Sequence, residues 1–247
     1  MEKTAKFVGK KVDKISDLQT LDTSVQHAEI NGRLFSRHKN FDGTTGGFVE
    51  NTAKVAETAY IGPNALVLDK AKVLGNAHVS GFVQVSGDAQ IYGRARVSKN
   101  ARVSGDAKVY GDALVSGNAK VHGDAWVYDG AQVSDDTKIY GRAQIYGDAQ
   151  VLDNALVGGD ALVGGGALVG GGARVYGNAR VGGRALVSGD AEVSGNSNIS
   201  NDTEIKHGDI DIRYNFTSTA QIEEYLKLKE EMRARLNAIS EKRILRE

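Results

Sequence analysis

AKVYGDALVSGNAKVHGD, residues Ala107–Asp124, holds three copies of one six-residue unit, A-x-V-x-G-D/N. Alternation of period two sends the alanine and the valine of A-x-V to one side of an extended chain and the two x residues to the other. The fifth and sixth positions are dominated by Gly, Asp and Asn, which tolerate positive φ and turn tightly. Each unit therefore reads as a short strand and a corner. A single unit cannot bury its valine, whereas stacked copies can. Working outward, the third position is Val or Ile in all 26 hexads from Val55 to Ile205, and the first is Ala except at Val83, Thr137, Ser197 and Thr203. GFVENT (Gly47–Thr52) fits as one more hexad. Collagen is excluded by the period and by a single proline, and a long helix by 31 glycines and the β-branching.

The outward residues set the number of corners. Leu74, Tyr92, Tyr110, Tyr128 and Tyr146 recur every 18 residues, as do Ser80, Ser98, Ser116 and Ser134, and Ser86, Ser104, His122 and Tyr140. This spacing predicts three hexads per coil, a triangular prism of about nine coils and a length on the order of 43 Å at a strand spacing of ~4.8 Å. The predicted organisation is an N-terminal cap over residues 1–45, the β-helix over 46–208, a connector over 209–217 and an amphipathic helix over 218–247. GRLFSRH (Gly32–His38) alternates like a strand and is expected at the open end, where a β-helix must cover its terminal coil. Ser218 and Gln221 have capping-box spacing, and Ile222, Tyr225, Met232, Leu236 and Ile239 form an apolar stripe interrupted by Lys229. That stripe either closes the last coil or pairs with copies of itself.

Composition narrows function mainly by exclusion. The absence of cysteine removes a disulfide framework, a thiolate nucleophile and Cys-ligated metal. Lys plus Arg and Asp plus Glu number 31 each, so no net field draws the chain to nucleic acid or an anionic membrane. The N-terminus has no apolar signal-peptide core and no run reaches membrane-spanning length, so a soluble cytoplasmic protein is expected.

The repeat resembles the hexapeptide-repeat family, which implies an all-β, left-handed parallel β-helix; the periodicity itself gives no hand, and crossover rules favour the other. FDGTTGGFVENTAKVAETAYI (Phe41–Ile61), with its Gly46-Gly47-Phe48-Val49-Glu50 step, resembles the entry segment of phage and enterobacterial hexapeptide proteins. The best-known members are acyltransferases in which a histidine acts as base and an acyl-CoA type thioester lies between subunits. His78 and His122 are the only candidates on the coils, 44 residues apart and therefore on different faces. No hexad carries the inserted loop that such enzymes commonly use, and no carboxylate adjoins either histidine in the way a positioned general base needs.

Three surface features remain. The column Tyr92, Tyr110, Tyr128 and Tyr146, with Trp126 beside it, reads either as stacking that stabilises a solenoid or as a flat aromatic strip for a sugar, a base or a protein. Arg102, Lys120 and Lys138 form a basic column that the corner aspartates Asp106 and Asp124 are expected to neutralise, which argues against a phosphate or nucleic-acid site. GGDALVGGGALVGGG lacks the strand-to-helix context and the Lys-Ser/Thr of a phosphate loop. In that zone Leu156, Leu162 and Leu168 place one outward leucine on each face, with Leu186 extending the belt and Gly158, Gly164 and Gly170 leaving bare backbone beside it, the mark of an interface. The reading is a non-catalytic, oligomeric binding or scaffold protein of phage type, a trimer packed along its prism faces, with no metal and no cofactor. The alternatives are an acyltransferase using His122 or His78 at a subunit boundary with an acyl-CoA type donor, and a rigid spacer in a virion or fibre.

Overall fold

The structure is a computed structural model that describes residues 9–211 and 214–244. From Lys54 onward the chain makes a two-residue strand in every hexad, and each strand pairs in parallel with the strand 18 residues away. Three flat parallel sheets result. Face 1 runs through Leu66, Gln84, Arg102, Lys120 and Lys138, face 2 through Lys72, Gln90, Lys108, Trp126 and Gln144, and face 3 through His78, Arg96, Leu114, Gln132 and Gln150. The architecture is the expected triangular parallel β-solenoid with a short N-terminal region and a C-terminal helix. Its valines, isoleucines and alanines are almost all fully buried in one continuous core.

Two local devices keep the repeat regular. Where Thr137, Ser197 and Thr203 replace the inward alanine, each hydroxyl donates to the carbonyl three residues earlier (Ser134, Ser194 and Ser200), so no buried polar group is left unsatisfied. At the corners from Asp69 to Asn201 the fifth residue has positive φ. Gly111 shows why glycine predominates there: at φ +70° a Cβ would lie 2.9 Å from the backbone nitrogen of Asp129 in the next coil. Aspartate is the alternative. Asp153 sits at φ 63° and accepts the Gly171 amide at 2.8 Å, and Asp69 accepts the Gly87 amide at 2.9 Å.

The N-terminal segment pairs at the open end of the prism, where Gly32–His38 was expected. Strands β1 (Lys10–Lys11), β2 (His27–Ile30), β3 (Arg33–Lys39) and β4 (Thr45–Glu50) extend face 1 outward, with β2, β3 and β4 antiparallel and β4 parallel to Leu66–Val67. The short helix α1 (Ile15–Leu18) contributes Leu18 to a second core built with Ile30, Phe35, Phe48, Leu66 and Leu68, on the outside of face 1 rather than across its end. Among the described residues Val49, Ala53 and Val55 at the rim stay half-buried. Arg37 clamps this segment. Its guanidinium lies 4.1 Å over the Phe48 ring and donates to the carbonyls of Leu21, Asp22, Val25, Gly46 and Pro63. Burial lowers its pKa. The entry motif is thereby explained. A Cβ at Gly46 or Gly47 would strike the carbonyls of Ile61 or Ala65, and Glu50 is gripped by Arg33, which also reaches Asp69 at 2.7 Å.

At the other end the expected connector is itself coiled. Asp209–Ile210 pairs with Glu192–Val193 and Asn215–Phe216 with Asn198–Ile199, an offset of 17 instead of 18. Faces 1 and 2 therefore carry ten solenoid rungs and face 3 nine among the described residues. Helix α2 (Thr219–Ile244) follows, with Gln221 accepting the Thr217 amide at 2.9 Å and Thr219 accepting the Glu204 amide at 2.9 Å. Ile222 is buried against the last coil with Tyr225 and Leu226 beside it, and Lys229 is held by Asp209 and Asp211. From Glu230 to Ala238 every residue is exposed, so the first turns cap the prism and the rest projects. The Ile239 side chain and residues 245–247 lie outside the described set.

Candidate binding faces

The aromatic column is a continuous stack. On face 2 the rings of Tyr92 and Tyr110 lie 4.8 Å apart at 3°, Tyr110 and Tyr128 5.0 Å at 3°, and Tyr128 and Tyr146 5.6 Å at 15°. Parallel rings separated by about one strand spacing stack along the prism axis, so each gives its faces to its neighbours and shows solvent an edge and a hydroxyl. The far end is closed as well, because a Cβ at Gly164 would fall within the Tyr146 ring. Trp126 meets Tyr110 edge-on at 6.4 Å and 72°, and Lys108 Nζ lies 4.6 Å from the indole centroid. Burial, with Tyr92 and Tyr128 alongside, pushes the Tyr110 phenol up to about 12, and burial also raises Tyr92 and Tyr128. Face-on stacking of a sugar or a base needs an open ring face, which Tyr110 and Tyr128, stacked on both sides, do not offer. What the column does offer is a ridge of phenol edges.

The histidines take part in the same kind of stacking. His78 lies on face 3, 4.3 Å from the Tyr60 ring at 5°, and its pKa is lowered by burial and by Arg96 one rung on. His122 lies on face 1, 5.9 Å from the Tyr140 ring at 15°. Among the described residues neither imidazole hydrogen-bonds to a carboxylate, and the two occupy different faces.

Leu156, Leu162 and Leu168 stand on faces 1, 2 and 3, and Leu186 pairs with Leu168. All four are half-buried within the single chain. The glycines beside them are not bare. Tyr140 covers Gly158, Tyr146 covers Gly164 and Leu152 covers Gly170. The side chain of one coil leans over the glycine of the next, an arrangement invisible in a list of residue types. The basic column is also unlike its expectation, since Arg102, Lys120 and Lys138 are in register and exposed with no ion pair among the described residues. Other cations do find an acid one coil on: Arg94 meets Asp112, Arg142 meets Asp160 and Arg184 meets Asp202, at 2.6–2.7 Å. Among the described residues no group of three His, Cys, Asp or Glu side chains is arranged to hold a metal ion, and no helix is long and apolar enough to cross a membrane.

The family model described as the YdcK beta solenoid repeat matches residues 89–105, 107–123, 143–159 and 173–189. The first three stretches begin at alanines leading into face 2 and the fourth at the alanine leading into face 1, so the hexad register is shared while the choice of face is not. No curated protein matches the chain. The match and the architecture make this a repeat-based β-helix whose unit is similar to that solenoid repeat.

Proposed function

We propose that the chain is a non-catalytic, self-associating binding or scaffold protein, of the kind found among the phage and enterobacterial hexapeptide-repeat proteins that its entry segment resembles. One observation carries this reading. From Lys54–Val55 to Glu204–Ile205 every strand pairs at an offset of 18 residues, so no coil loops out to enclose a reacting substrate. Catalysis of acyl transfer needs a base within reach of the acceptor and walls that exclude water. Flat ladders favour association with another flat surface instead.

The half-buried leucines supply the contact, and a trimer packed along the prism faces is the assembly this reading expects. Each leucine is at most about a third exposed, so burying the remainder contributes about 0.5–1 kcal/mol by transfer values. Three together reach about 2 kcal/mol, on the order of thirtyfold in association. Light scattering after size exclusion tests this. The wild type is expected to be trimeric at micromolar concentration, and Leu162→Glu to shift it towards monomer while far-UV circular dichroism stays unchanged. A monomeric wild type would overturn the reading. So would a thermal shift with acetyl-coenzyme A that His122→Ala or His78→Ala abolishes, because that result belongs to an acyltransferase.

A further inference from the structure

Beyond the tyrosine column, face 2 ends in an open recess of about 890 Å³ lined by Asn178, Arg180, Asn196, Asn198, Tyr214 and Asn215. It spans the last three rungs, Arg180–Val181, Asn198–Ile199 and Asn215–Phe216. Its chemistry differs from the rest of the surface. Asn198 Nδ2 donates to Asn215 Oδ1 at 3.1 Å, which leaves the Asn198 carbonyl oxygen and the Asn215 amide nitrogen for a ligand. Asn178 and Asn196 are exposed, and their side chains have no hydrogen-bond partner among the described residues. Arg180 is exposed with no ion pair among them. Tyr214 is 49% exposed and meets one ring, Phe216, at 4.8 Å and a 51° tilt, so it is not sandwiched as Tyr110 is. Gly182, two residues after Arg180, adds no cover, and a Cβ there would meet nothing within 4 Å.

We propose that this recess binds an acidic saccharide. Primary amides donate and accept at once, which matches sugar hydroxyls. A guanidinium presents a planar fork to a carboxylate. A half-exposed aromatic ring gives a flat apolar surface for the carbon face of a pyranose. One cation among neutral amides in the described lining fits a monoanionic sugar acid better than a run of phosphates, which calls for several cations. The site stands whether or not the prism faces self-associate.

Isothermal titration of the full chain tests it, with a hyaluronan tetrasaccharide, tetragalacturonate and sialyllactose as acidic probes and chitotetraose as the neutral one. At least one acidic probe is expected to bind about tenfold or more tightly than chitotetraose, the scale of one charge-assisted bidentate contact. Arg180→Gln is expected to erase that difference, while Tyr214→Ala weakens acidic and neutral probes alike. Arg94→Gln, at a paired corner remote from the recess, serves as the control and leaves binding unchanged. No heat from any acidic probe at millimolar concentration would overturn the proposal, as would equal affinity for chitotetraose or an unaltered Arg180→Gln. Melting curves show that the variants fold. Light scattering on the same samples separates this outcome from the scaffold reading, since a trimer that ignores every sugar sinks the site alone.

Discussion

Replacing Tyr110 by serine should cost two to three times as much stability as replacing Tyr92, although both are half-buried tyrosines on the same face. Tyr110 stacks on Tyr92 at 4.8 Å and on Tyr128 at 5.0 Å, and receives the edge of Trp126 at 6.4 Å. Tyr92 stacks on one tyrosine only, with Leu74 in the column position one coil before it. An aromatic pair is worth roughly 0.5–1.5 kcal/mol beyond its buried area. Tyr110→Ser then loses three such contacts, about 2–4 kcal/mol, and Tyr92→Ser one, about 1 kcal/mol. The inward valines are untouched, so the coils should persist in both. Urea unfolding followed by circular dichroism gives the two losses, and double-mutant cycles divide them. Coupling between positions 92 and 110 should be about 1 kcal/mol, and between 92 and 128, which do not touch, near zero. Ser98→Ala and Ser116→Ala on face 3 should change neither. Equal losses at Tyr92 and Tyr110, or coupling that ignores contact, would refute the view that pairwise stacking holds the column.

Alkaline titration should reveal the same stack. The Tyr110 phenol is raised from 10.0 to about 12, so folding favours its neutral form; that contribution is complete below pH 10 and lost as pH climbs towards 12. The melting temperature of the wild type should fall across that window, and Tyr110→Phe should remove the latest-rising part of the tyrosinate absorbance. Arg37→Met should free the N-terminal segment, because five carbonyls lose their donor, and limited proteolysis should then cut residues 9–40 while the coils resist. Gly111→Ala should cost about 1–2 kcal/mol from its positive φ and the Asp129 backbone above it. Gly111→Asp should cost less by urea midpoint despite its size, since aspartate at other corners accepts the amide of the next coil.

The prism was legible because its rule is local and repeated: A-x-V fixes which residues face in, and an 18-residue recurrence fixes three corners per coil. What escaped were features that break the repeat or depend on side-chain direction. The chain from 206 to 208 is one residue short of a full corner, so Ile210 and Phe216 take the inward places at an offset of 17 and the hexad pattern breaks before the coils end. The strand over Arg33–Lys39 was readable from its alternation, and so was its place at the open end; what could not be read is the apolar cover it brings to the outside of face 1, which depends on Phe48 and Leu66 being outward residues. The tyrosine column could be read as a ladder, yet residue types alone do not say whether its rings lie flat on the sheet or stack along the axis. The same silence made Gly158, Gly164 and Gly170 look bare. A glycine one coil after an aromatic is a seat for the ring as readily as a gap.

Ladder packing also explains where recognition concentrates on such a surface. Every outward side chain has a neighbour about 4.8 Å above and below it, so a regular column satisfies itself. Tyrosines take each other's faces, Asn100 donates to Asn118 and Asn118 to Asp136, and Arg94, Arg142 and Arg184 find aspartates one coil on. Like-charged columns such as Arg102, Lys120 and Lys138 aside, a group becomes available where the residue type changes along a column or the register shifts. Face 2 does both at its C-terminal end. The tyrosines give way to Gly164 and Gly182, and the 17-residue offset sets Asn215 and Tyr214 against Asn198. The half-satisfied amides, the guanidinium without an ion pair among the described residues and the half-exposed ring of the recess are thus products of the place where the repeat ends. A longer run of the same hexads would have buried them in another ladder.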